Sequence, residues 1–414
     1  MRSSIPGIGD EFDVLVAGAG GMGVLTAAAL DDLGYSCALV DPVGISAEQT
    51  GHSHGYLHRG YIYLRAEEKL VLNLRNARDL WDAIIAPEDV VSSSSFVGFS
   101  DPVARSAAVR SWETAGLPIK PVSPLDVPAQ IRRPAIRDLY KTDEPVVLVG
   151  QLLKRRRDAC RNVVDLRGRL HSLRLKRAGG ALTCAGAVVH MDDQPASITA
   201  RHVVLCAGAG NAAILNNTMG IYRAASALRT SFMLVMKGLA LQPLSLILPE
   251  ARFYGLFLAS RRQGNIGVWL ASNFVSFGGV VKATTPAGRR WAHDMVRKVE
   301  KVFDVSAGSL QYGIYSGVKA EYRRDPERMP DDKSIETFGI RKLSVLWPTK
   351  LTLAPAMAGT LAREIHNTLK RPECRVTPLS RLELRRERWE ATPCFDRDAL
   401  FDNLAQLSVA ERWS

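Results

Sequence analysis

Three glycines near the start of the chain have the spacing of a phosphate-binding turn. Gly18, Gly20 and Gly23 directly follow an apolar run and precede an alanine-rich segment that predicts a helix. In such a motif the first glycine permits the turn, the second admits a pyrophosphate, and the third lets helix and strand pack closely. A second apolar strand ends at Asp41, 23 residues after Gly18. Because a ribose-binding carboxylate is expected about 20 residues after the motif, this unit predicts dinucleotide binding. A glycine-rich turn in an ordinary strand-helix-strand unit is the alternative.

The next segment, residues 49–63, is rich in glycine and histidine and has no clean helical or strand periodicity. Three of the eight histidines of the chain lie in it, namely His52, His54 and His58. The segment lacks the spacing of an HExxH motif, so a metal site is the less favoured interpretation. We expect polar loop residues beside a cofactor, and no bound metal.

The rest of the pattern predicts two lobes built from alternating parts of the chain. Residues 200–211 repeat a buried strand followed by a turn of small residues, and residues 343–347 predict another buried strand. Residues 228–315 are β-rich with one intervening helix, which is typical of a substrate-binding lobe. We therefore expect an α/β fold. The expected limits are residues 1–85, 146–225 and 326–370 for a nucleotide-binding domain, residues 86–145 and 226–325 for a substrate domain, and residues 371–414 for a basic, helical tail.

Composition argues against several other classes of protein. The 414 residues are 46% hydrophobic and 23% charged, and no apolar stretch suits a membrane span. The N-terminus lacks an apolar signal segment, so we expect a cytoplasmic location. Six cysteines occur without CxxC spacing, which argues against a zinc site and a disulfide framework. The net charge is +12, but few aromatic residues accompany the basic clusters, so we expect no nucleic-acid partner.

Four motifs resemble those of the FAD-dependent D-amino-acid-oxidase-like oxidoreductases, a family that includes glycine and sarcosine oxidases and L-2-hydroxyglutarate dehydrogenases. Residues 16–23 with Asp41 resemble its FAD motif, and residues 50–63 resemble the TGHNSGVIHxGIYY stretch of the hydroxyglutarate branch. Residues 203–209 are similar to the VVLxAGAW turn, and residues 351–355 to the C-terminal LTLAP motif. The resemblance implies FAD as cofactor, extended across a Rossmann-like FAD-binding domain whose flavin ring faces an inserted β-rich α+β substrate domain.

Carried over residue by residue, the resemblance implies a set of FAD contacts. The first glycine turn would contact the pyrophosphate, Asp41 the adenosine ribose, and residues 50–54 the phosphates and flavin. The second turn and the LTLAP motif would complete the site. The full expected set is Gly18, Ala19, Gly20, Gly21, Met22, Gly23, Asp41, Gln49, Thr50, Gly51, His52, Ser53, His54, Ala207, Gly208, Lys350, Leu351 and Thr352.

The chain departs from the family pattern at two places near the expected flavin. Residues 347–350 replace the usual Gly- and His-rich loop before LTLAP, and Lys319 stands where relatives commonly have Arg. A lysine binds a carboxylate as a point charge and not as a bidentate fork, which leaves simple amino or hydroxy acid specificity open. Lys350 directly precedes LTLAP, where a cation could stabilise negative charge on reduced flavin.

The resemblance also suggests which residues carry the chemistry. His58 aligns with the IHxG histidine and is a candidate general base for an alcohol, or alternatively a structural histidine bonded to the backbone. An amine substrate would need no such base. The expected catalytic residues, which include cations and a hydroxyl for an anionic substrate, are His58, Arg59, Tyr254 and Lys319.

These expectations combine into one leading function and two alternatives. We expect an FAD-dependent oxidase or dehydrogenase that transfers a hydride from a C–N or C–O carbon of a small, carboxylate-bearing substrate to flavin N5, in a specialised biosynthetic pathway. One alternative is an RNA-modifying flavoenzyme of the same fold, motivated by the positive charge. The other is a flavin-binding subunit without redox turnover.

Overall fold

The computed structural model describes residues 11–63, 68–132, 135–220, 226–250, 255–305, 309–322, 335–347, 350–376 and 382–410. The helices in these ranges are α1 (Gly21–Asp31), α2 (Glu68–Asp82), α3 (Pro102–Thr114), α4 (Val149–Asp158), α5 (Gly210–Met219), α6 (Pro286–Val302), α7 (Ala354–Leu369), α8 (Arg388–Ala391) and α9 (Arg397–Ala410). The strands are β1 (Glu11–Ala17), β2 (Cys37–Asp41), β3 (Val90–Ser92), β4 (Ser95–Phe99), β5 (Lys120–Pro121), β6 (Asp138–Thr142), β7 (Val146–Val147), β8 (Val163–Arg167), β9 (Arg169–Ala178), β10 (Ala181–Met191), β11 (Gln194–Leu205), β12 (Ser226–Gly238), β13 (Leu246–Leu248), β14 (Leu256–Gln263), β15 (Ile266–Ser272), β16 (Phe277–Gly278), β17 (Gln311–Tyr322), β18 (Ile335–Glu336) and β19 (Leu343–Leu346).

The first sheet has a parallel centre in the order β19-β11-β1-β2-β8. Strand β1 is central, and its Phe12, Val14, Leu15 and Val16 are all fully buried. Such a continuous apolar run is typical of a parallel strand covered on both faces. Helices α1, α4 and α7 pack together over one face, whereas the antiparallel ribbon β9-β10 extends the sheet from β11.

The second sheet is mostly antiparallel, with the order β16-β12-β15-β14-β13-β4-β6-β5 and with β17 paired to β12. Helix α6 covers it with one apolar face, on which Trp291, Met295, Val299 and Val302 are buried. Because these positions recur every three to four residues, they share one side of the helix. The expected fold class is confirmed: an α/β, Rossmann-like unit carries a β-rich second unit.

The strands of the two sheets alternate along the chain. The first sheet takes its strands from residues 11–41, 163–205 and 335–346, and the second from residues 95–142 and 226–322. The numerical domain limits given above stay a prediction.

The basic run on α4 is neutralised within the fold. Arg157 forms a buried pair with Asp165, in which Nε lies 2.6 Å from Oδ1. Lys154 pairs with Asp158, Arg155 with Asp89, and Arg156 with Asp32. Each cation of this cluster therefore has its own carboxylate, and the cluster is not an uncompensated basic surface.

Candidate functional site

A cavity of about 830 Å³ lies between the two sheets. The carboxyl ends of β1, β2 and β11 open into it from one side, and β12, β15 and β17 line it from the other. Ligands of parallel α/β sheets bind at this carboxyl edge, where the chain turns from strands into helices. The cavity is therefore the place where a cofactor and a substrate can meet.

The glycine turn is packed so tightly that two of its positions exclude a side chain. Gly18 has a φ of +99°, and a Cβ there would lie 2.5 Å from the carbonyl oxygen of Cys206. A Cβ on Gly23 would lie 1.7 Å from the carbonyl oxygen of Gly18. Gly20 and Gly21 line the cavity at the start of α1, where backbone N–H groups suit an anionic pyrophosphate. Gly18 and Met22 also line it, whereas Ala19 and Gly23 support the turn from behind.

Asp41 lines the cavity but also holds the turn together. Its Oδ2 accepts a hydrogen bond from the Ala19 amide at 2.8 Å, and its Oδ1 accepts from Val43 and Gly44, each at 2.8 Å. A carboxylate has about four acceptor sites, so capacity remains for a ribose hydroxyl. The ribose contact itself stays a prediction.

The loop of residues 46–58 crosses from the first sheet to the second and is bonded to both. The Gly21 amide donates to Thr50 Oγ1 at 3.1 Å, and the Ala320 amide on β17 donates to Gln49 Oε1 at 3.1 Å. The hydroxyl of Tyr56 donates to the carbonyl of Leu258 on β14 at 2.6 Å. The loop is therefore fixed between the two walls, with Gln49, Thr50, Ser53 and His54 facing the cavity.

The three histidines of this loop occupy different positions. His54 and His58 line the cavity, whereas His52 and its neighbour Gly51 do not. The His52 ring packs near Tyr315 instead, with 5.8 Å between ring centroids. The expected flavin contacts of Gly51 and His52 are thus not brought to the cavity wall.

The two loop histidines that line the cavity, His54 and His58, have lowered pKa values that favour the neutral imidazole. Burial, with the charges of Lys319 and Arg261, lowers the pKa of His54 to about 3, and its Nε2 lies 3.1 Å from Ser272 Oγ. Burial and the charge of Lys350 lower the pKa of His58 to about 3, and its buried Nδ1 has no hydrogen-bond partner among the described residues. A neutral imidazole can accept a proton, but a pKa so far below neutral makes His58 a weak general base.

One expected catalytic residue lies outside the cavity, and another falls outside the described residues. The Arg59 guanidinium lies outside it and pairs with Asp79 at 3.7 Å and Asp143 at 3.3 Å. Its direction follows from Glu144, a buried carboxylate whose Oε1 accepts the Arg59 amide at 2.6 Å and fixes the local backbone. Tyr254 lies outside the described residues.

Lys319 lines the cavity on β17, opposite Arg229 on β12. Arg229 is bonded bidentately to Glu321, with Nε–Oε2 at 2.8 Å and Nη2–Oε1 at 2.5 Å. The surrounding protein and the Arg229 charge lower the pKa of Lys319, while Glu321 opposes this shift. The amine thus faces the cavity beside an ion pair whose two members already neutralise each other.

Sequence patterns missed the partners of Lys319 and the far end of the cavity. Glu321 could have been predicted to face the cavity with Lys319, because residues two apart on a strand share a face. Arg229 lies on the neighbouring strand, and alternation alone does not pair it with Lys319. Other lining residues that were not expected come from β9, α5, β14 and the loop after β15, and include Arg169, His171, Asn217, Phe257, Asn273 and Phe274.

At the back of the cavity, the second turn (residues 207–208) and the LTLAP motif with the preceding Lys350 supply some residues to the wall but not others. Ala207, Gly208, Lys350 and Leu351 line it, and Lys350 Nζ lies 5.9 Å from the centroid of the Tyr63 ring. Thr352 is fully buried behind the wall, and its carbonyl accepts from Trp81 Nε1 at 3.0 Å.

The described ranges contain no cluster of three or more His, Cys, Asp or Glu side chains suited to a metal ion. In those same ranges, no helix has both the length and the apolar character needed to cross a bilayer.

The chain is similar to known flavoproteins over nearly its whole length. A probable FAD-dependent oxidoreductase of Pseudomonas aeruginosa is 26% identical over 410 residues, covering 91% of this chain and 97% of the relative. The crystal structure of that protein has a TM-score of 0.68 at 23% identity and covers 92% of this chain and 98% of that chain.

Two enzymes share the fold at lower identity. The L-amino acid deaminase of Proteus myxofaciens, solved in complex with anthranilate, has a TM-score of 0.68 at 15% identity, with 90% of this chain and 93% of that chain covered. The glycine oxidase of Geobacillus kaustophilus has a TM-score of 0.64 at 14% identity, with 90% and 97% covered.

A family model described as FAD dependent oxidoreductase matches residues 13–362. The glycine turn at residues 18–23, the Asp41 carboxylate at the end of β2 and the open space at Gly208 all fit an extended dinucleotide. The chain therefore belongs to the family of FAD-dependent oxidoreductases related to D-amino-acid oxidase, and FAD is its cofactor.

Proposed function

We propose that this FAD-dependent oxidoreductase oxidises the carbon that bears an amine next to a carboxylate in a small amino or N-alkyl amino acid. The observation that carries the proposal is Lys319, a cation on the cavity wall across from the loop of residues 46–58. Bound FAD supplies the acceptor of the hydride. Lys319 binds the carboxylate and thereby orients the reacting carbon.

The charge of the cavity favours an amine in its reactive form. An ammonium has no lone pair to release as the hydride leaves, so the substrate must lose a proton first. Burial and the charges of Lys319, Arg261 and Lys350 already lower the pKa values of His54 and His58. The same burial and positive charge lower the pKa of a bound ammonium, so the neutral amine predominates.

The neutral imidazole of His58 on the cavity wall supports a 2-hydroxy acid as the second candidate substrate. An alcohol needs a base for its hydroxyl proton, and neutral His58 lines the cavity with an Nδ1 that no described residue bonds. The lowered pKa of His58 makes it a weak base, which places this candidate second. RNA modification is not favoured, because the basic cluster on α4 is paired internally.

The test is anaerobic bleaching of the enzyme-bound flavin by matched sets of amino acids, N-methyl amino acids and 2-hydroxy acids with the same side chains. The proposal predicts bleaching by one of the two amine sets and slower or no bleaching by the hydroxy acids. Bleaching by hydroxy acids alone would replace the proposal with the second candidate. A flavin that none of the sets reduces would contradict both.

A further inference from the structure

A segment near the C-terminus packs against residues 43–54, which include part of the cavity wall. We call residues 382–390 the tail segment, and they lie beyond the residues 13–362 that the family model matches. The amide of Leu382 donates to Asp165 Oδ2 at 2.6 Å. The other oxygen of Asp165 accepts from Arg157 Nε at 2.6 Å, and both of these side chains are buried. The start of the tail segment is therefore bonded to a buried ion pair between α4 and β8.

The tail segment then contacts the residues that directly follow Asp41. Ile45 and Leu384 form a parallel bridge, in which the Ile45 amide donates to the carbonyl of Glu383 at 3.0 Å. Arg385 Nε donates to the carbonyl of Val43 at 2.9 Å. Val43 lines the cavity, and its amide is one of the donors to Asp41. This contact therefore fixes the cavity wall around the carboxylate at the end of β2.

A second contact supports the histidine-rich part of the same loop. Glu387 Oε2 lies 3.4 Å from Nε of Arg261, whose side chain is only 1% exposed. Nη2 of Arg261 donates to the carbonyl of His54 at 2.7 Å. Glu387 is held in turn by Trp389, whose Nε1 donates to Oε2 at 2.5 Å and whose ring is buried. The carboxylate thus compensates a buried cation that fixes the backbone of a cavity residue.

We propose that the tail segment is part of the cofactor site and that Glu387 is a positioning residue for FAD. Glu387 holds the Arg261 guanidinium against the His54 carbonyl, while Arg385 holds Val43. Together they keep residues 41–55 in the conformation that receives the cofactor. Neutralising Glu387 leaves the buried Arg261 without its carboxylate and frees the His54 backbone to move.

The test compares Glu387→Gln with Glu300→Gln in the full-length protein. Glu300 pairs with Arg397 at 2.8 Å between α6 and α9, and neither residue lines the cavity. FAD is titrated into apoprotein and the Kd is measured by quenching of FAD fluorescence. We expect the Kd to rise about tenfold for Glu387→Gln and to stay within about twofold of the unmodified protein for Glu300→Gln.

Hydrogen exchange of the apoprotein supplies a readout that a general loss of stability does not reproduce. We expect faster amide exchange in residues 42–55 of Glu387→Gln and unchanged exchange in α6. Equal FAD Kd values in the two variants would overturn the proposal. If Glu387→Gln does not fold, Arg385→Met carries the same test, since Arg385 is exposed and the bond to the Val43 carbonyl is the one described hydrogen bond of its side chain. An unchanged Kd for that variant would also overturn the proposal.

Discussion

The two walls of the cavity are built by different means. On the first sheet, backbone groups form the wall, because Gly18 and Gly23 leave no space for a Cβ and α1 presents its amides. On the second sheet, the charged side chains of Arg229, Lys319 and Glu321 form it. A backbone wall recognises phosphates in any member of a family, whereas a side-chain wall can change its charge without loss of the fold. Under the proposed function, the first wall binds the cofactor and the second selects the substrate.

The largest effect is expected where the backbone wall is tightest. Gly23→Ala would place a Cβ 1.7 Å from the Gly18 oxygen, which forces the turn apart. We expect the FAD Kd to rise by about a thousandfold or more, or binding to be lost. The measurement is flavin content and FAD titration. Gly278→Ala is the control, because a Cβ there meets nothing within 4 Å. Normal FAD affinity in Gly23→Ala would refute the backbone account.

Glu144, which fixes the backbone between the two walls, makes stability depend on pH. Burial raises the pKa of Glu144 to about 7 despite the amides of Arg59, Gly60 and Tyr61 that it accepts. The folded state therefore binds a proton more tightly than the unfolded state, and stability falls as pH rises from about 4.5 through 7. Glu144→Gln cannot ionise, so its free energy of unfolding relative to the unmodified protein should rise by about 2 to 3 kcal/mol over that range. Urea unfolding of both apoproteins at several pH values measures this difference, and a constant difference would contradict the prediction.

Substitution on the side-chain wall should affect the substrate and spare the cofactor. Lys319→Met removes a cation from the cavity, and we expect KM for a carboxylate-bearing substrate to rise about thirtyfold with FAD Kd unchanged. Lys319→Arg should recover most of the loss. Lys237→Met serves as the matched control, because Lys237 lies at the opposite end of the β12–β17 pair from Lys319 and outside the cavity lining. A change in FAD Kd equal to the change in KM would show that the two walls are not separable.

The smallest effect is expected at Lys350, at the back of the cavity. A cation on the cavity wall favours the negative charge of reduced flavin, so Lys350→Met should lower the flavin midpoint potential by about 20 mV. Titration against a redox dye of known potential measures the shift. An unchanged or higher potential would remove Lys350 from the set of residues that tune the flavin.

The backbone wall could be predicted from sequence because its causes are local. A strand, a glycine turn and a helix follow one another within residues 11–31, and the spacing of their glycines reflects contacts made inside that unit. The second turn at Gly208 has the same origin. Asp41 was found for the same reason, although its three hydrogen bonds to backbone amides were not foreseen.

The side-chain wall could be predicted only in part because its causes are distant in sequence. Arg229 meets Lys319 and Glu321 through the register of β12 with β17, which joins residues about ninety positions apart. In the histidine-rich loop no periodicity fixes side-chain direction, so Arg59 and His52 were expected in the cavity and lie outside it. Their directions depend on Glu144 and Tyr315, which belong to other segments.

The most direct test of the account compares an amino acid substrate with the amine obtained by removing its carboxylate. Rates of anaerobic flavin bleaching are measured for both molecules with the unmodified enzyme and with Lys319→Met. We expect the unmodified enzyme to be bleached much faster by the amino acid than by the amine. In Lys319→Met, this difference in bleaching rate should largely disappear. Equal bleaching by both molecules with the unmodified enzyme would contradict the assignment of carboxylate recognition to the second wall.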